Sequence, residues 1–170
     1  MSTMELAVTE TLPLSGRYAL NTDRFVVEPS IHRLLRGRFA CTGGHLVISG
    51  EESELALDLD ASSLRTNILG LRLTGEGGLC AAEFPAIRFR STAMTIEESS
   101  IEVVGRLEVL DAAREIRLSG RLAYADELAV VVWVTGVLPP PRRRLKGGSR
   151  ISRLLAGRSI RIELAAEFVR

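Results

Sequence analysis

The chain has 170 residues, 46% hydrophobic but only 5% aromatic, with 22 Lys and Arg against 21 Asp and Glu, a net charge of +1 and a mean hydropathy of +0.16. That length suits one domain, residues 1–170, able to bury a core or enclose a cavity. No window approaches the roughly 18 apolar residues that cross a bilayer as a helix, and two cysteines, Cys41 and Cys80, make no disulfide framework.

The opening MSTMELAVTETLPLSG holds two Glu, no Lys or Arg and no sustained apolar run. It lacks the basic and apolar regions of a secretory signal, so residues 1–15 read as a loosely held arm and the chain as cytoplasmic. Period-two alternation then predicts strands over 16–20, 24–28, 33–41, 45–49, 54–60, 86–96, 100–109, 115–124, 128–137 and 158–169. It is clearest in LALDLDASSLRT (Leu55–Thr66) and FPAIRFRST (Phe84–Thr92), where Leu55, Leu57 and Leu59 take one side and Asp58 and Asp60 the other. Gly43-Gly44, Glu98-Ser99-Ser100 and Ala112-Ala113-Arg114 suit hairpin turns.

The stretch Leu64–Glu83 breaks the alternation and is too long for a hairpin loop. Leu79, Cys80, Ala81 and Ala82 favour a helical turn that Pro85 would end, so a short helix or lid is expected near residues 65–84, with Gly70, Gly75, Gly77 and Gly78 permitting movement. Val130–Val134 is a continuous apolar run containing Trp133. It reads either as a strand covered on both faces beneath the N-terminal arm or as one face of a homodimer. Many short strands divided by turn signals predict an all-β, antiparallel fold, a sandwich or a barrel.

The order GRYALNTD, RGRF, DASSLRTN, EFPAIRFRST and VVGRLEVLDAAREIRL, spanning about Gly16 to Tyr124, resembles the YceI-like proteins. That resemblance implies a lipocalin-like β-barrel of about eight strands holding a polyisoprenoid or similar long-chain lipid, and it suits a homodimer. It names no particular lipid, because the connection NILGLRLTGEGGLCAAEFP departs from the family's pattern.

The charge is unevenly spread. Residues 1–127 carry 19 acidic against 13 basic side chains, while 128–162 carry eight basic ones (Arg142, Arg143, Arg144, Lys146, Arg150, Arg153, Arg158 and Arg161) and no acidic one. The basic loop 139–150, PPPRRRLKGGSR, is either solvated and stiffened by its prolines or a contact for an anionic partner, a membrane surface or a lipid head group, through Arg142, Arg143, Arg144 and Lys146. Nucleic acid is disfavoured: no aromatic residue is interleaved for stacking and no binding motif is present.

Nothing in the chain starts a catalytic triad. His32 and His45 are the only histidines, and there is no Gly-x-Ser-x-Gly elbow. Asp58 and Asp60, about 7 Å apart along a strand, have the spacing of paired carboxylates but share the solvent face. His32, Cys41, His45 and Cys80 lack the close paired spacing of zinc ligands, and Thr74–Gly78 lacks the Lys-Ser/Thr of a phosphate loop. The expectation is a protein with no enzymatic step, metal or cofactor.

An eight-stranded closed sheet is just wide enough to be filled by side chains or to hold one slender ligand. Strand parity nominates Leu55, Leu57, Leu59, Phe84, Ile87, Phe89, Val103, Leu107, Leu118, Leu122, Trp133, Ile162 and Leu164 as its lining. The expected function is binding, storage or transport of an apolar lipid such as a polyisoprenoid, an isoprenoid quinone or a fatty acyl chain. The alternative is a solid barrel whose basic 142–161 region binds an anionic partner.

Overall fold

The structure, a computed structural model, describes residues 15–32, 34–50, 52–75, 78–140 and 157–170. Ten strands run in chain order: β1 (Gly16–Ile31), β2 (Leu35–Arg38), β3 (Cys41–Ile48), β4 (Glu54–Asp60), β5 (Arg65–Thr66), β6 (Ala86–Glu97), β7 (Ser100–Val109), β8 (Ala112–Ala125), β9 (Ala129–Leu138) and β10 (Ile160–Val169). Among the described residues there is no α-helix, only a 3-10 turn at Ala61–Ser63, which Asp60 caps by accepting from the Ser62 amide.

All pairings are antiparallel. The sheet closes where β1 meets β10, from Ala19 opposite Val169 to Ser30 opposite Arg161. The eight-stranded ring is therefore β1-β3-β4-β6-β7-β8-β9-β10, as expected for a lipocalin-like barrel. The short strands β2 and β5 pair with each other outside it, continuing the hairpin that β1 begins.

Closure needs strands that coil, and the chain supplies bulges for this. Register shifts fall between Leu20 and Phe25 in β1, Cys41 and Gly43 in β3, Ser91 and Ala93 in β6, and Leu122 and Tyr124 in β8. Two sequence expectations change as a result. The break expected after residue 20 is a bulge inside one long strand, and Gly43-Gly44 is no hairpin turn but part of β3. A Cβ on Gly44 would lie 2.5 Å from the Ala56 carbonyl oxygen, so glycine lets β4 approach there. The β7–β8 turn lies at Leu110–Asp111, two residues before the expected Ala112-Ala113-Arg114. In it Leu110 takes φ 59°, as Glu98 takes 55° in the expected β6–β7 turn, because the first residue of a tight two-residue hairpin loop needs positive φ.

The helix expected before Phe84 is a series of turns. The Phe84 amide donates to the Cys80 carbonyl at 2.8 Å, closing a single helical turn that Pro85 ends, and the Pro85 carbonyl accepts from Ala61. The segment is a lid, pinned to the 3-10 turn.

The apolar run of β9 divides between an inward and an outward face. Val130, Val132 and Val134 point inward and are fully buried, whereas Trp133 is 36% exposed and Val137 57%. The Trp133 indole donates to Glu163 at 3.1 Å and lies under the Arg121 guanidinium. The N-terminal arm expected to cover this face lies outside the described residues.

Inward glycines mark where the wall is tightest. A Cβ at Gly120 would sit 2.0 Å from the Trp133 carbonyl oxygen on β9, a backbone atom that cannot move aside, while at Gly43 it would meet nothing within 4 Å. Gly120→Ala is expected to destabilise the barrel by about 1–3 kcal/mol and Gly43→Ala to leave it nearly unchanged, as read from denaturant midpoints. Equal midpoints for the two variants would show that the β8–β9 approach is not tight.

Candidate functional site

The barrel is packed at one end and hollow at the other. The packed end is made by the start of β1, β4, β7 and β9 and the finish of β3 and β10. There Tyr18, Leu46, Leu55, Ile101, Val103, Val130, Val132, Val134 and Phe168 are all below 2% exposed. Two aromatic rings in a narrow tube leave no room. Arg170 closes this end, its guanidinium over the Tyr18 ring and its Nη2 donating to the Ser15 carbonyl.

The other end encloses a cavity of about 300 Å³, lined almost wholly by carbon. That volume is at the small end of the roughly 300–1,000 Å³ seen for ligand sites. Its depth follows from β10: Ile160 is at the rim and Leu164 at the floor, about 13 Å of strand at 3.3 Å per residue. Phe89 lies across the floor because Gly105 makes space for it; a Cβ at Gly105 would be 2.5 Å from the ring. Leu73, Gly78 and Leu79 of the lid cover part of the opening.

Of the residues nominated from parity, Leu57, Leu59, Ile87, Phe89, Leu107, Leu118, Ile162 and Leu164 line this cavity. Leu55, Val103 and Leu122 do point inward, but in or next to the packed end, where nothing is left open. Phe84 is half-buried in the lid and does not line the hollow. Trp133 faces outward, because an unbroken apolar run gives parity nothing to act on. Arg142, Arg143, Arg144 and Lys146 lie outside the described residues, but the strands flanking their loop end at the mouth, where Leu138 and Ile160 line the cavity.

The lining also includes residues that the sequence reading missed. Ile116, Val109 and Ile160 share the parity of nominated neighbours, whereas Leu138 lies on the row opposite to Trp133, the residue nominated on β9. Val27 and Ile31 were hidden by the β1 bulge, which switches the inward row from Tyr18 and Leu20 to odd positions. Among the described residues one charged side chain lines the cavity, Arg114, on the inward row of β8 at the mouth. Its Nη2 donates to the Pro140 carbonyl at 3.2 Å.

The residues weighed for chemistry hold structural partners. Asp58 bonds Arg90 at 2.8 Å, Asp60 caps the 3-10 turn, and His45 pairs with Glu54 at 2.8 Å. Cys41 and Cys80 are free, and burial pushes the Cys41 thiol above its usual range. No three His, Cys, Asp or Glu side chains among the described residues are grouped as a metal would need. No helix among them is long and apolar enough to cross a membrane.

Two substitutions separate the halves. Leu55→Ala, in the packed end, is expected to cost about 2–5 kcal/mol of stability. Leu107→Trp, in the hollow end, should fill open space and leave the unfolding midpoint nearly unchanged. A large loss of stability for Leu107→Trp would mean the hollow is not there in solution.

Solved structures share this architecture. BcnA of Burkholderia cenocepacia superposes with a TM-score of 0.65 at 15% identity, covering 87% of this chain and 98% of its own. A polyisoprenoid binding domain from Saccharophagus degradans, implicated in plant cell wall breakdown, gives 0.58 at 14% identity, covering 89% and 97%. A YceI protein of Campylobacter jejuni gives 0.57 at 16%, covering 77% and 83%. At such identities the likeness is one of fold. No curated protein matches the chain. The YceI-like domain itself matches residues 18–168, from the first plugging ring, Tyr18, to the last, Phe168, and the chain belongs to that family.

Proposed function

We propose that this protein binds the tail of a long-chain lipid in the hollow half of its barrel and stores or carries it without making or breaking a bond. The observation that carries this reading is a carbon-lined cavity, open at one end only, inside a closed sheet. Burying a tail there removes apolar surface from water at roughly 25 cal/mol per Å², less the cost of ordering the chain. The family and the polyisoprenoid-binding neighbour support a lipid as the occupant. Organic extraction of purified protein followed by mass spectrometry should recover one lipid class, and recovery should not fall when the protein is first washed at high ionic strength. Repeated recovery of nothing, including from a quinone-rich host, would sink the reading.

A second reading, contact with a membrane, is favoured by the lip of the same mouth. Asn67 laces two loops there: its amide donates to the Arg36 carbonyl, its Oδ1 accepts from the Arg36 amide at 2.8 Å, and its Nδ2 donates to the Leu34 carbonyl at 3.0 Å. The joined loops raise Leu34, 78% exposed, Ile68, 45%, and a fully exposed Leu69. Around them Arg36, Arg65 and Arg72 make no salt bridge among the described residues, and segments 29–50 and 61–75 contain no Asp or Glu. Exposed apolar tips among unpaired arginines match an anionic bilayer, with each Arg contributing about 1 kcal/mol near such a surface. The protein should co-float with vesicles of phosphatidylcholine and phosphatidylglycerol but not with phosphatidylcholine alone. Leu69→Asp, at a position that packs against nothing, should remove the binding. Undiminished binding by Leu69→Asp, or a dimer in solution that this change dissolves, would count against a membrane as the partner.

A further inference from the structure

We infer that the ligand is a single-chain amphiphile with an anionic oxygen head group, a carboxylate or a phosphate, held by Arg114 at the mouth. This rests on the lipid-binding reading and names the chemical class of its ligand. The inward row of β8 reads Ala112, Arg114, Ile116, Leu118, Gly120, Leu122 from mouth to plug, so Arg114 occupies an inward position on an otherwise apolar row. A half-buried guanidinium in a hydrocarbon wall is costly unless its charge is met. Among the described residues no carboxylate lies within salt-bridge distance of Arg114, and one carbonyl, that of Pro140, accepts from one of its five N–H donors.

The planar fork leaves donors for two parallel bonds to an anionic head. The depth from the mouth to the Phe89 floor sets the other end of the ligand. About 13 Å of strand separates rim and floor, and beyond the floor the barrel is solid. The hollow therefore takes the first part of one tail, with the head left at the rim where Arg114 waits. Two or more bulky chains do not fit in about 300 Å³.

The test compares dodecanoate, dodecyl phosphate and 1-dodecanol, equal in tail and different in head, by calorimetric titration of the 170-residue chain. Wild type should bind one or both anions about ten- to a hundred-fold more tightly than the alcohol, the range expected for hydrogen bonds to a charged group. The favoured anion distinguishes carboxylate from phosphate. Arg114→Gln should erase the preference by weakening the anions far more than dodecanol, and Arg114→Lys should restore part of it. Thermal midpoints report whether each variant is folded, and the wild-type preference stands on its own if Arg114→Gln is not. Equal affinity for anions and alcohol in wild type, or a preference that survives in folded Arg114→Gln, overturns the inference and leaves the lipid-binding reading intact. Failure of all three to bind overturns that reading and this inference with it.

Discussion

Everything in this molecule depends on the pairing of β1 with β10. An open sheet of these strands would present two edges and one apolar face to water, and closing it removes both liabilities at once. Once closed, the inward side chains alone decide what the interior holds, because eight strands enclose barely the volume of their own side chains. Tyr18 and Phe168, with the leucines, valines and isoleucine around them, fill one half. In the other half Gly37, Gly78 and Ala112 stand among the lining residues, and space is left over.

The two halves do different physical work. An empty apolar cavity forfeits the dispersion contacts its lining atoms would otherwise make, so the hollow end contributes less to stability than its composition suggests. The packed end compensates with fully buried side chains drawn from six strands, so the cost of the hollow is carried elsewhere in the same sheet. Phe89 separates the two regimes, and its ring fits there only because position 105 has no side chain. A barrel with alanine there would have to move its floor.

Much of this was legible in the sequence, and the failures have local causes. Period-two alternation identifies nearly every strand, since one face of each meets hydrocarbon and the other water. The rule breaks wherever a bulge adds a residue: in β1 the inward row shifts from Tyr18 and Leu20 to Val27 and Ile31, which no alternation from either end foretells. It also fails in AVVVWVTGVL, where the outer face is as apolar as the inner, so parity does not separate Trp133 on the outside from Val132 and Val134 in the core. The lid is irregular throughout, and Leu73 and Leu79 reach the cavity through turns whose geometry has no sequence period. Nothing in the pattern marks Arg114 as a site residue, because it sits where the sequence suits a hairpin turn, two residues past the true one at Leu110–Asp111.

The polarity of the mouth bears on how much of a ligand the protein can hold. Along β8 and β10 the inward residues grow drier with depth, from Arg114 and Ile160 at the rim to Leu118 and Leu164 at the floor. A tail entering this gradient is ordered only over the depth of the hollow, so each further carbon of a longer chain adds neither burial nor ordering cost inside the barrel. The surplus needs another apolar environment. The lip offers a route to one, since Leu34, Ile68 and Leu69 project beside the same opening. On the lipid-binding proposal, a short amphiphile would fit within the cavity alone, whereas a chain as long as a polyisoprenoid would exceed it and would need a second apolar environment for the remainder. Under that proposal the size of the hollow would tie ligand length to whether the ligand could leave a bilayer entirely.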